Sequence, residues 1–109
     1  MILSDSGHVL SFGYGGNGRL GHGTEADEKK PREIEALKGK GIVFIAAGGY
    51  HSAVVNGKGE LFSWGWNYYG QLGFEGKDDH FQPTLVAELG NKKVVWVTCG
   101  EGNTMAIVA

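Results

Sequence analysis

Short apolar and β-branched runs alternate along the chain with clusters of Gly, Asn, Asp and Ser. That alternation predicts short antiparallel strands separated by tight turns. Five runs stand out: Ile42 to Ala47, Ser52 to Asn56, Glu60 to Trp64, Val94 to Cys99, and Thr104 to Val108. Near the N-terminus, His8 to Phe12 and a stub from Met1 to Ser4 have the character of the third and second of these. Asn56-Gly57-Lys58-Gly59 reads as a hairpin turn, because Asn and Gly tolerate positive φ, and Asp5-Ser6-Gly7 takes the same place earlier. The stretches after Pro31 and Pro83, Glu33 to Leu37 and Leu85 to Leu89, are expected to be edge strands, where a leading proline is tolerated. Glu33, Glu35, Lys38 and Lys40 would keep the first of these edges from pairing promiscuously. No segment sustains a helical period.

The pattern is duplicated. Residue n matches residue n+52 without a gap, in a register of 5–56 and 57–108. Conservative apolar pairs carry the match: Val9 with Leu61, Leu10 with Phe62, Phe12 with Trp64, Ile34 with Val86, Ile42 with Val94, and Phe44 with Trp96. Asp27, Pro31 and Leu37 likewise recur as Asp79, Pro83 and Leu89. Four short strands per repeat define a β-propeller blade, so the expected fold class is all-β, made of antiparallel four-stranded blades. The whole of 1–109 is read as one repeat module. The chain starts within one strand pair and ends on Thr104 to Val108, so the last blade is expected to lack its final strand, and the first its earlier ones. Head-to-tail complementation between chains, or further repeats in cis, would fill both gaps.

Composition sharpens this reading. Gly supplies 20 of 109 residues, far above the usual share of about 7% and without a collagen period, which fits dense tight turns. Only two prolines occur, which argues against a disordered proline-rich linker. A net charge of -2 gives no basic footprint for nucleic acid or an anionic membrane. No run approaches the ~18 apolar residues of a membrane-spanning helix. The single Cys99 cannot form an internal disulfide, and its apolar neighbours suggest a buried thiol in a reducing, intracellular setting, cytoplasmic or nuclear.

The stretch Gly59-Glu60-Leu61-Phe62-Ser63-Trp64-Gly65-Trp66-Asn67-Tyr68-Tyr69-Gly70-Gln71-Leu72-Gly73 closely resembles the signature of the regulator of chromosome condensation repeat family. Phe12-Gly13-Tyr14-Gly15-Gly16-Asn17-Gly18-Arg19-Leu20-Gly21 is a looser version of it. Gly48 to Ser52 and Cys99 to Thr104 are similar to the family's Cys-Gly-x-x-His-Thr junction, with Asn103 replacing His in the second. The resemblance implies a propeller, usually of seven blades, with an architectural role for Phe12, Gly13, Gly18, Leu20, Gly21, Trp64, Gly65, Gly70, Gln71, Leu72 and Gly73. Phe12 and Trp64 are expected to fill the wedge between neighbouring sheets. Members of the family include an exchange factor for a small GTPase, chromatin-binding proteins, domains of ubiquitin ligases and an ultraviolet-B photoreceptor. Protein partners of these kinds are therefore the expectation, and exchange activity is the alternative to a plain scaffold. A third alternative is a purely self-assembling structural module.

Candidate chemistry is sparse. Gly13 to Gly18 fits Gly-x-Gly-x-x-Gly, yet that motif needs a following helix, and Arg19-Leu20-Gly21-His22-Gly23 will not sustain one. His8, His22, His51 and His80 lack the spacing of zinc ligands, and no Ser, His and Asp set marks an activated nucleophile. His51 is expected to satisfy backbone groups in a turn, and Asp78-Asp79 beside His80 to be a solvated cluster. No enzyme activity, metal or cofactor is expected. Loop tips are the binding candidates: Trp66, Asn67, Tyr68 and Tyr69, with Asn17 and Arg19 at the matching place in the first copy.

Overall fold

A computed structural model describes residues 1–89 and 91–109. Among these residues nine strands form: β1 (Ile2–Leu3), β2 (Val9–Gly13), β3 (Glu28–Glu33), β4 (Ile42–Ala47), β5 (His51–Asn56), β6 (Leu61–Gly65), β7 (His80–Leu85), β8 (Val94–Cys99) and β9 (Thr104–Val108). They pair into three antiparallel sheets, in the orders β1-β2-β3, β4-β5-β6-β7 and β8-β9. The all-β blade architecture expected from the duplicated pattern is thus the observed one. Among the described residues only the central sheet is a full blade, and it draws β4 and β5 from one repeat and β6 and β7 from the next. Among the described residues the last sheet has two strands, where three were expected, and the first has three.

The fourth strands lie earlier in the sequence than expected. Pro31 and Pro83 fall inside β3 and β7, and the segments Glu35–Leu37 and Ala87–Leu89 that follow are short 3₁₀ turns. Proline is accommodated because each strand is an outer edge of its sheet, and the ladder slips beside it, between Ser11 and Gly13 and again between Ser63 and Gly65. At the hairpin 56–59 only Gly59 takes positive φ, while the Asn56 side chain accepts from the Lys58 and Glu60 amides.

Strand alternation divides the core in two. On one face of the central blade, Val54, Phe62 and Trp64 pack with Val9, Ile34, Leu37 and Ile42. On the other, Ala53, Val55 and Leu61 pack with Val86, Val94 and Val97. Partly buried Met1 and Leu3 support the first cluster, and Phe44, Ala46 and Cys99 the second. Trp64 is fully buried, as expected, but Phe12 is 47% exposed. Phe12 sits in its sheet as Trp64 does in the central one, and the described residues place no sheet against that face.

Candidate functional site

Each repeat carries a long loop between its first two strands, β2 and β3 in one copy and β6 and β7 in the other, and polar clamps shape both loops alike. Ser11 Oγ donates to the Leu20 carbonyl at 2.6 Å, and Ser63 Oγ donates to the Leu72 carbonyl at the same distance. Asp27 accepts from the Gly15 amide at 2.8 Å, as Asp79 does from the Asn67 amide at 3.0 Å. Asp79 also accepts from Asn17 Nδ2 at 3.3 Å, which ties the two loops together. Asp79 is exposed, as expected of that cluster, and clamps both loops as well. The recurrence of Asp27 and Asp79, and of Ser11 and Ser63, 52 residues apart was the available signal for these roles.

Asn67, expected at a contact surface, is buried. Its Oδ1 accepts from the Leu72 amide at 3.1 Å, and its Nδ2 donates to the Asp78 carbonyl at 3.0 Å, so its side chain staples the loop from inside. Gln71 is likewise inside, its Oε1 accepting from the Tyr69 amide at 2.9 Å. Asn17 is half-buried, held in a left-handed conformation at φ 63° beside Arg19.

Arg19 braces the β2–β3 loop against the turn between β4 and β5. Its Nε donates to the Gly16 carbonyl at 2.8 Å, one terminal nitrogen to Asn17 Oδ1 at 3.0 Å, and the other to the Gly49 carbonyl at 3.2 Å. The guanidinium also lies 4.8 Å from the ring centres of both Tyr14 and Tyr50. Tyr50 continues into the predicted aromatic cluster, its ring 5.3 Å from Trp66. Trp66 stacks on Tyr68 at 5.9 Å and meets Tyr69 edge-on at 5.4 Å. Lys77 lies over Tyr68 at 5.5 Å. A continuous row thus runs Tyr14, Arg19, Tyr50, Trp66, Tyr68 and Tyr69. Trp66 is half-buried, while Tyr68 and Tyr69 are 58% and 67% exposed. Tyr14 and Tyr50 were not among the expected contacts, although Tyr14 is the repeat counterpart of Trp66.

Other polar groups serve the fold. His51 is buried, its Nε2 2.8 Å from Thr104 Oγ1, which itself donates to the Gln71 carbonyl at 2.7 Å. It thus meets a side chain of the next repeat, where a turn backbone was expected. Burial lowers its pKa and keeps it neutral. Cys99 is half-buried, and burial pushes its thiol up to about 11, so it is protonated at neutral pH. The glycine-rich segment carries only a three-residue 3₁₀ turn, Gly16–Gly18, in place of the helix a dinucleotide site requires. Among the described residues, no three His, Cys, Asp or Glu side chains gather at metal-binding distance. Among them also, no helix is long and apolar enough to cross a membrane.

These sheets, with repeat-spanning blades and a buried tryptophan wedged between them, define a module of a β-propeller. Residues 6–55 and 58–107 each match the regulator of chromosome condensation (RCC1) repeat, and the chain belongs to that family. It is 41% identical over 107 residues to human E3 ubiquitin-protein ligase HERC2, covering 98% of this chain and 2% of that protein. It is 39% identical over 107 residues to the ultraviolet-B receptor UVR8 of Arabidopsis thaliana, covering 98% of this chain and 24% of the receptor. The chain therefore spans a small part of these relatives. Among solved structures, human WBSCR16 superposes with a TM-score of 0.83 at 31% identity, over 98% of this chain and 28% of that one. Prp20p from Saccharomyces cerevisiae, whose structure was described together with its binding properties to Gsp1p and histones, gives a TM-score of 0.88 at 22% identity. That match covers 99% of this chain and 28% of Prp20p, and it shows the fold alone.

Proposed function

We propose that this chain is a non-catalytic protein-binding module of a propeller, and that it meets its partner through the row from Tyr14 to Tyr69. The observation that carries this reading is the preorganisation of that row. Arg19 is held by three hydrogen bonds and two rings, and Asn67 and Asp79 fix the loop beneath Tyr68 and Tyr69. Rigid, exposed tyrosines beside a half-buried tryptophan offer large contact area at little cost in conformational entropy, which is the composition of interface hot spots. The partner classes follow from the relatives: a small GTPase, chromatin proteins such as histones, or a component of the ubiquitin pathway.

Titration calorimetry against a Gsp1p-type GTPase and against core histones tests the reading, with the chain and its Tyr68→Ala/Tyr69→Ala variant. Binding of one partner, weakened at least about tenfold in the variant at unchanged melting temperature, is the expected result. Binding that survives the double substitution in full removes the row as the contact surface. Membership of the repeat family carries a second reading, nucleotide exchange on a small GTPase. Faster release of bound nucleotide from the GTPase would place exchange above simple binding.

A further inference from the structure

The aromatic row already shows which charge it accepts. Two cations lie on its rings and both belong to the chain: the Arg19 guanidinium, 4.8 Å from the centres of Tyr14 and Tyr50, and Lys77 Nζ, 5.5 Å from that of Tyr68. An aromatic face carries the negative end of its quadrupole, so it draws cations and repels anions. The two cations differ in how firmly they are held. Arg19 donates from all three of its nitrogens to acceptors of its own chain, and it cannot leave without breaking those bonds. Lys77 is exposed and, among the described residues, makes neither a side-chain hydrogen bond nor an ion pair. Arg19 comes from the β2–β3 loop, Tyr50 from the β4–β5 turn, and Trp66 and Tyr68 from the β6–β7 loop. The middle of the row therefore lies over the joint between the first and central sheets, where both sides are described.

Charge around the row has the matching sign. The β2–β3, β4–β5, β6–β7 and β8–β9 connections share one end of the sheets, and they carry the carboxylates of Glu25, Asp27, Glu75, Asp78, Asp79 and Glu101. The only cations on these connections are Arg19 and Lys77, the two that already lie on rings. At the opposite end Lys38, Lys40, Lys58, Lys92 and Lys93 outnumber the acids, so the rest of the chain is positive on balance and the net charge of -2 conceals a polarity. Glu101 stands beside the turn that holds Tyr50, its Cγ 3.4 Å from where a Cβ on Gly49 would be, and Asp78 follows Lys77 directly. Both are exposed and free of ion pairs among the described residues. An anionic segment laid along the row would face these carboxylates and find Arg19 already committed, whereas a cationic one gains from rings and carboxylates together.

We propose that Tyr50, Trp66 and Tyr68, flanked by Asp78 and Glu101, form a docking site for an extended, arginine-bearing segment of a partner protein. One guanidinium of that segment takes the place of Lys77 on the Tyr68 ring, and its neighbours face the two carboxylates. Lys77 is thus a placeholder that the partner displaces. Arginine suits the rings better than lysine, because a planar, weakly hydrated guanidinium stacks on an aromatic face as Arg19 does here. The site rests on the proposed function in taking the row as the contact surface, and it adds the chemistry of what the row receives.

Fluorescence anisotropy of a labelled peptide of alternating Arg and Gly tests it, beside peptides with Lys, citrulline or Glu in place of Arg. The Arg peptide is expected to bind, the Lys peptide about two- to fivefold more weakly, the citrulline peptide at least about tenfold more weakly, and the Glu peptide not at all. Tyr68→Leu should abolish the preference for Arg over Lys. Asp78→Asn/Glu101→Gln should weaken the Arg peptide about two- to fivefold, while Asp5→Asn/Glu88→Gln, which removes the same charge from the opposite end, should leave it unchanged. Lys77→Gln should tighten binding about twofold, and Lys92→Gln should not. All the substituted residues are exposed, so the variants should stay folded. An Arg peptide that does not bind overturns the proposal. So does a citrulline peptide that binds as well, an equal loss in both carboxylate pairs, a preference for Arg that survives Tyr68→Leu, or no gain in Lys77→Gln. A protein partner lost in Tyr68→Ala/Tyr69→Ala, together with no affinity for the Arg peptide, would leave the contact surface standing and remove its cation chemistry. Arg-peptide binding that meets all these expectations, with neither the GTPase nor histones bound, would leave this site standing and remove those two partners.

Discussion

His51 and Asn67 show how much a residue's role here depends on what lies one repeat away. His51 is enclosed between its own strand and Thr104, and burial holds its pKa below the ordinary value of 6.5. Above pH 6.5 the ring is neutral in both the folded and unfolded states and adds no pH dependence. Below it, the unfolded chain takes up the proton first, so stability falls until the folded pKa is passed and the loss is complete. His22 has the same sign, lowered by burial and then by Arg32. Glu33 is lowered by its bond to His8, so its contribution is lost only on further acidification, below 4.5. Thermal melts should therefore show a falling midpoint from pH 7.5 to pH 5. The fall should shrink in His51→Gln without vanishing, since His22 remains. An undiminished fall in that variant would mean that His51 does not sense the change. Asn67 was expected at the surface because an Asn among exposed aromatics reads the same whether it faces a partner or staples its own loop. Only the position of the 76–78 backbone, which no local pattern encodes, separates the two roles.

Among the elements, β4, β8 and β9 begin and end where the apolar runs do, because β-branched and aromatic runs bounded by turn residues favour the extended backbone. The fourth strands were misplaced for a physical reason. Proline was taken to precede an edge strand, and it lies within one, where the outward amide it lacks has no partner to lose. Glu28–Glu33 also has too little apolar character to be seen as a strand without β2 beside it. Glycine, by contrast, was legible as turn chemistry but not as packing. Gly18 and Gly39 have nearly the same φ, +71° and +73°. A Cβ on Gly39 meets open space, whereas one on Gly18 would stand 2.3 Å from Phe81 Cδ1 and 2.6 Å from its Cα, so β7 itself would have to move. Gly39→Ala is expected to cost about 1–2 kcal/mol, the left-handed conformation alone. Gly18→Ala should cost at least about 2 kcal/mol more, with the overpacking of β7 added. Equal costs in urea denaturation would show that β7 does not bear on the Gly16–Gly18 turn.

At the scale of the whole molecule, the burial pattern grades stability from the centre outward. Every residue of β5 and β6 is buried, and β5 is hydrogen-bonded on both sides, to β4 and β6. Both hydrophobic clusters draw on these two strands, so opening either of them disrupts both cores together. The outer sheets lack such cover: β9 is largely exposed and paired on one side, and β1 contributes two residues. Opening free energies should follow that order, because local unfolding costs what the segment's own burial and ladder supply. Native-state hydrogen exchange is therefore expected to show the slowest amides at Val54, Val55 and Phe62, intermediate rates in β2 and β8, and the fastest among the ordered strands in β1 and β9. A uniform rate across all three sheets would instead mean that the chain opens as a single cooperative unit, and that its outer sheets are as firmly held as the central blade.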